Sequence, residues 1–181
     1  MKPMPPSPTC VGLLSDTHDV FDPKLESLFA GCGLILHGGD ITRQPILDAL
    51  SAIAPVRAVR GNNDFGPFAE ALPELAAVAL GDVAALLVHE VGSPAHPSPA
   101  GLRTLSRSGA RLVVHGHSHR PSATLQDGVL FVNPGSAGPR RFRLPRTAAL
   151  VEVRGRRVRL EIRDLSHAGL PLMGEAMALD L

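Results

Sequence analysis

Five short motifs carry most of the metal-competent oxygen and nitrogen donors in this sequence: Asp16-Thr17-His18, Gly39-Asp40, Gly61-Asn62-Asn63-Asp64, His89, and Gly116-His117-Ser118-His119. In an extended chain, residues i and i+2 project to the same side. Asp16 with His18, and His117 with His119, can therefore each reach a single ion. Glycines beside Asp40, Asn62 and His117 suit a backbone that turns sharply next to a bound group. Taken one at a time the residues have plainer readings: His18 as a surface residue, Asp16 as a turn or cap, His89 as a satisfied core histidine closing an apolar strand. Two histidines at i, i+2 beside a glycine have little structural use, and the conjunction of all the motifs points to a metal site.

Each of these groups follows a run that reads as a buried strand. Val11–Ser15, Leu34–His37 and Val56–Val59 are such runs, with one helix opening at Asp22-Pro23 and another over Pro45–Ile53 between them. Asp22 can cap its helix, and Pro23 suits the first helical position. This β-α-β-α-β alternation predicts a largely parallel sheet whose ligands gather at the carboxyl ends of its strands. Beyond it, Leu75–Leu80 and Val83–His89 flank Gly81-Asp82 as a hairpin, Ala100–Ser108 reads as a helix, and Leu112–His115 as a strand. Ser122–Leu125 with Val129–Asn133, and Ala148–Val153 with Val158–Arg163, give two further hairpins. A parallel half followed by an antiparallel half predicts two sheets packed face to face.

Composition narrows the function. Aromatic residues are 3% of the 181, with no Trp and no Tyr, so base-stacking platforms are poorly supplied and nucleic-acid binding is disfavoured. The longest apolar stretch, Leu75 to Val88, is interrupted by Gly81-Asp82 and falls short of the ~18 residues of a membrane span. Cys10 and Cys32 make neither a disulfide framework nor a zinc ribbon. These features read as a soluble, cytoplasmic protein with a loose Pro-rich leader over 1–9, one domain over 10–164 and an extension over 165–181. Net charge is +1, yet residues 140–163 hold 9 of the 18 basic residues against 2 acidic ones. Arginines alternating with apolar residues there read as the solvated face of a hairpin, and a patch of this kind can also draw in an anionic substrate.

The order D-x-H, G-D, G-N-x-D, isolated His, G-H-x-H resembles that of the calcineurin-like metallophosphoesterases. Within them the chain looks like the compact bacterial and archaeal YfcE-like phosphodiesterase branch, whose Asn-Pro-Gly-Ser segment followed by Arg appears as Asn133-Pro134-Gly135-Ser136 and Arg140 or Arg141. The resemblance implies a four-layer α/β/β/α sandwich of two mixed sheets. It also implies two divalent ions (Mn, Ni, Fe, Co or Zn), one held by Asp16, His18, Asp40 and His119 and the other by Asp40, Asn62, His89 and His117, with Asp40 bridging. A metal-bridging hydroxide would hydrolyse a small phosphodiester, with Asp40, Asn62, Asn63 and Asp64 as the catalytic group and Asn62, His89 and Arg140 against substrate.

The sequence departs from the family pattern at two positions. Many members carry a histidine after the Asn of G-N-x-D, where this chain has Asn63, and an amide cannot protonate a leaving group. His37 and His115 are then the substitute donors, and diesters of acidic alcohols are favoured over alkyl monoesters. Glu90 stands where a glycine usually follows the isolated histidine, which leaves His96 as an alternative to His89. Two alternatives to the diesterase remain, a phosphomonoesterase and a non-catalytic metal-binding scaffold like the retromer subunit of this fold. The physiological substrate and the oligomeric state, a homo-oligomer included, are not readable from the residues.

Overall fold

A computed structural model describes residues 9–93, 96–97, 107–166 and 177–181. It opens with the alternation expected: β1 (Thr9–Leu14), α1 (Lys24–Phe29), β2 (Leu34–His37), α2 (Gln44–Ser51), β3 (Val56–Ala58) and the short α3 (Pro67–Glu70). The first three strands are parallel, with Val11 opposite Leu34 and Ile35 opposite Val56, because the intervening helices return the chain to run in the same direction. Helix α1 starts one residue later than the sequence suggests, with Pro23 at the N-cap, and Asp22 Oδ1 accepts a hydrogen bond from Lys24 N at 3.0 Å.

A second sheet follows, with β4 (Leu75–Leu80), β5 (Val83–Val88), β8 (Leu112–Val114), β9 (Ser122–Gln126) and β10 (Val129–Asn133) in the order β4-β5-β8-β10-β9. Strands β5, β8 and β10 are mutually parallel, so their carboxyl ends also line up along one edge. Two residues each of β6 (Gly92–Ser93) and β7 (His96–Pro97) pair with one another, ahead of the stretch expected to be helical. Of the helix expected over Ala100–Ser108, residues 100–106 lie outside the described residues, and Arg107 and Ser108 are helical.

The expected division into a parallel half and an antiparallel half is corrected here. The hairpin β11 (Thr147–Arg154) and β12 (Arg157–Asp164) leaves the second sheet and docks antiparallel on the free edge of β1, giving the first sheet the order β13-β12-β11-β1-β2-β3. Both sheets are therefore mixed. The edge strand β13 (Met177–Asp180) comes from the stretch assigned to an extension, and Thr9, assigned to the leader, opens β1. Residues 1–8 and 167–176 lie outside the described residues.

Apolar side chains explain the layering. Val11, Leu13, Leu36 and Val59 of the first sheet meet Leu87, Leu112, Val114, Leu130 and Val132 of the second in the central core. On the outer face of the first sheet, Leu25, Phe29, Ile46 and Leu50 bury the helices against Leu14 and Ile35. At ~25 cal/mol per Å² of apolar surface, these faces supply the main stabilisation, and none of it depends on the metal ligands. No helix of the described residues is long and apolar enough to cross a membrane.

The basic segment 140–163 divides by strand alternation. Arg159 and Arg163 lie on the outer face of the β11–β12 hairpin and pair with Glu161, and Arg159 also lies 3.6 Å from Glu152. This is the solvated face read from the sequence. Arg146 behaves differently: its guanidinium donates to the carbonyls of Gly138 and Ala137 and pairs with Asp22 at 3.0 Å, tying the crossover between sheets to the start of α1.

Candidate metal centre

All the donors sit just past the carboxyl ends of β1, β2, β3, β5 and β8, where the parallel strands of both sheets reach one common edge. Their backbones are strained there. Nine described non-glycine residues have positive φ, and five of them are Asp16 (54°), His18 (44°), Asp40 (56°), His117 (69°) and His119 (58°). Such conformations cost of order 1–3 kcal/mol each and persist only where the surroundings over-determine them.

In the first cluster, Asp16, His18, Asp40 and His119 each bring one ligand atom to within 4.8 Å of all the others. His18 Nε2 lies 3.2 Å from His119 Nε2 and 3.7 Å from Asp40 Oδ2, and His119 Nε2 lies 3.3 Å from Asp16 Oδ1. Asp16 Oδ1 is buried with no hydrogen-bond donor. Lone pairs facing lone pairs in a buried space are costly unless a cation sits among them, so this set fits a divalent ion. Burial pushes the Asp16 carboxyl up. The contacts with His119 and Ser15 and the nearby His119 and His89 rings outweigh it and hold the group below its usual value. Burial lowers His18, Asp40 opposes that, and the Arg141 guanidinium adds to the lowering.

The second cluster turns on Asn62, whose Oδ1 lies 3.0 Å from His89 Nε2 and 2.9 Å from His117 Nδ1. His89 Nε2 is also 3.4 Å from Asp40 Oδ1, so the two oxygens of Asp40 face the two clusters. His89 Nδ1 donates to Gly38 O at 2.7 Å, which fixes the tautomer and leaves Nε2 its lone pair. His89 is thus placed among the donors. His96, the alternative, has only its backbone described.

Supporting groups explain why the loops hold. Each oxygen of Asp64 accepts two backbone N–H groups, from Ile41 and Thr42 on Oδ1 and from Asp40 and Gly61 on Oδ2, at 2.6–3.0 Å. Asn63 donates from its backbone to Asp40 Oδ1 and from its amide to Asp40 Oδ2, at 2.8 and 2.7 Å. A Cβ at Gly61 would fall 2.2 Å from Asp40 Oδ1, so only glycine lets that turn lie against the carboxylate. Asn133 donates to Gly116 O and Ser118 Oγ, and Ser136 Oγ donates to Asp16 O at 2.8 Å. The Asn-Pro-Gly-Ser segment was visible in the sequence, but its job of bracing two ligand loops was not.

Three expectations shift in detail. Arg140 and Arg141 are both exposed, and it is Arg141 that places Nη2 3.3 Å from His18 Nε2, beside the first cluster. Glu90 is turned toward His117, with 3.7 Å between Oε1 and Nε2. His37 is fully buried with both ring nitrogens engaged, Nδ1 accepting from Gly39 N and Nε2 facing Thr17 Oγ1 at 3.0 Å, so it has no nitrogen left for a substrate.

Burial drives the His37 pKa down to about 3, so the folded ring stays neutral while the unfolded one takes a proton near 6.5. A depressed folded pKa means its stabilisation is complete above 6.5 and is lost as pH falls from there toward 3. In EDTA, urea unfolding should show about 2 kcal/mol less stability from this residue at pH 5 than at pH 7.5. The variant His37→Gln should lose that increment of pH dependence, and an unchanged slope would show that the ring is not held neutral.

Comparison with known proteins agrees with the geometry. The calcineurin-like phosphoesterase superfamily domain matches residues 10–156. A probable metallophosphoesterase of Methanocaldococcus jannaschii is 33% identical over 135 residues, 70% of this chain and 67% of its own length. A crystal structure from Streptococcus pneumoniae TIGR4, titled a conserved uncharacterized protein and predicted phosphoesterase, has TM-score 0.75 at 22% identity, over 97% of this chain and 99% of that one. Wild-type Vps29 of Entamoeba histolytica complexed with zinc has TM-score 0.73 at 20% identity, over 95% and 99%. Two mixed sheets with a row of carboxylate and imidazole donors along one edge, together with these matches, make the chain a member of the calcineurin-like phosphoesterase superfamily.

Proposed function

We propose that the chain is a phosphodiesterase that uses two divalent ions, held by Asp16, His18, Asp40 and His119 and by Asp40, Asn62, His89 and His117. The observation that carries this reading is Asp40, 1% exposed, with one carboxylate oxygen toward each cluster. When bound, such ions lower the pKa of a water and neutralise phosphoryl oxygens. In the reaction the water oxygen forms a bond to phosphorus, the ester P–O bond breaks, and the products are an alcohol and a phosphomonoester. Arg141 supplies a cation beside the first cluster for a non-bridging oxygen. Asn63 contributes an amide where an imidazole would donate a proton, and it donates one side-chain N–H and its backbone N–H to Asp40. A departing alkoxide receives no proton from that position, which favours acidic alcohols and diesters over alkyl monoesters.

The test is reconstitution of the metal-free chain with Mn, Ni, Fe, Co or Zn and assay on bis(p-nitrophenyl) phosphate and a simple alkyl monoester. Two ions per chain and at least tenfold preference for the diester are expected. Monoester preference would make the chain a phosphomonoesterase, and tight metal binding without turnover on either ester would make it a scaffold.

A further inference from the structure

Away from the metal centre, two sulfurs lie close enough to react with each other. Cys10 Sγ and Cys32 Sγ are 3.3 Å apart, on half-buried free thiols separated by 22 positions in the chain. By strand alternation Cys10 shares the helix-facing side of β1 with Gly12 and Leu14. A Cβ at Gly12 would fall 2.7 Å from the Phe29 ring, so the end of α1 sits directly on the strand. Just beyond that end Cys32 N donates to Phe29 O, and Gly33 N donates to Cys10 O, both at 2.9 Å. These contacts hold the two cysteines side by side. Gly31 and Gly33 are exposed, and a Cβ on either would meet nothing within 4 Å, so Cys32 sits in an open, pliable turn. Closing the pair to the ~2.05 Å of a disulfide asks for about an ångström of movement, which that turn can supply.

We propose that Cys10 and Cys32 form a thiol modification site, which a small disulfide such as oxidised glutathione converts to an intramolecular disulfide tying the end of α1 to β1. The covalent loop so closed contains Asp16 and His18, two donors of the first cluster, and the bond would restrain that loop whether or not a metal is bound. The sulfurs divide the work unequally. Cys32 keeps its proton, because burial, its hydrogen bond to Cys10 and the charge of Cys10 push its thiol up to about 12. Cys10 is therefore the attacking sulfur. Its thiolate bonds to one sulfur of oxidised glutathione, whose S–S bond breaks to release one glutathione thiolate. The resulting mixed disulfide carries no charge on Cys10, which removes two of the three causes that hold the proton on Cys32. Cys32 then passes that proton to solvent, bonds to Cys10 Sγ and expels the second glutathione. The cysteine pair loses two electrons, and oxidised glutathione is reduced to two thiols.

The experiment exposes the full, reduced chain, with Mn present, to oxidised glutathione and follows its mass and its melting temperature; hydrolysis of any ester plays no part in the reading. The expected product has lost two hydrogens, carries no glutathione, remains a single chain on a non-reducing gel and reverts with dithiothreitol. Its melting temperature should rise by about 5–10 °C, as for a disulfide closing a loop of this length in a chain of this size. Cys32→Ser should stop at one glutathione on Cys10, and Cys10→Ser should react at least tenfold more slowly than the native chain. A native chain that stays reduced, keeps glutathione or links to a second chain would overturn the site. An unchanged or lowered melting temperature on oxidation would refute the tie between α1 and β1. Faster capture of glutathione by Cys10→Ser than by Cys32→Ser would overturn the assignment of Cys10 as the attacking sulfur.

Discussion

Asp40→Asn is expected to lower kcat on any phosphodiester by roughly 10³-fold, equivalent to about 4 kcal/mol of transition-state stabilisation. The carboxylate has no spare oxygen. Oδ2 faces His18 at 3.7 Å and accepts from the Asn63 amide, while Oδ1 faces His89 at 3.4 Å and accepts from Asn63 N. In the variant one of those oxygens becomes an NH₂, which turns a donor toward a donor and withdraws a ligand from one cluster whichever way the amide settles. The remaining oxygen is uncharged and a weaker ligand for the other. Folding should survive, because the central core contains none of these residues and Asp64 still ties down the loop backbone. Metal-free protein should melt within a few degrees of the native chain, while the rise in melting temperature on adding Mn should shrink. Elemental analysis after gel filtration supplies the check: two ions retained together with native turnover would remove Asp40 from its shared position.

The strands and the donors at their ends were legible in the sequence because both signals are local. Leu34–His37 and Val129–Asn133 appear in the fold with the bounds that their apolar runs suggest, and all seven donors lie at strand ends along one edge. What was not legible depends on contacts distant in sequence. The β11–β12 hairpin reads as a hairpin in either sheet, and nothing near Val151 in the sequence says that its partner is Val11. Arg140 and Arg141 are adjacent and chemically equal, and only the course of the turn after Pro139 decides which one faces His18. His37 looked available because it follows an apolar strand beside the donors. Its burial and its bonds to Gly39 and Thr17 depend on how three strand ends meet. Glu90 departs from the family pattern, and its approach to His117 is a matter of side-chain geometry that spacing does not encode.

Asp64 is the residue whose role changes most between sequence and structure, and its substitution should have the largest effect on stability. The motif Gly61-Asn62-Asn63-Asp64 placed it with the catalytic groups, yet all four of its hydrogen bonds go to backbone amides on two loops. It is 4% exposed, so those bonds are made in a nearly dry environment. Hydrogen bonds to a charged acceptor contribute about 1.5–3 kcal/mol each, though not additively. An isosteric Asn keeps one acceptor oxygen and turns an NH₂ against two N–H groups, either those of Ile41 and Thr42 or those of Asp40 and Gly61. We expect Asp64→Asn to destabilise the metal-free chain by about 3–5 kcal/mol in urea unfolding, and Asp64→Ala by at least as much. Metal affinity should fall as well, because the anchored loops carry Asp40 and Asn62 into both clusters. A proton-transferring Asp64 would give the opposite pattern: an unchanged urea midpoint for Asp64→Asn and a pH–rate profile missing one limb. A loss of stability shared by both variants, with the shape of the pH profile retained in whatever activity remains, identifies Asp64 as the clamp that holds the Asp40 and Asn62 loops together.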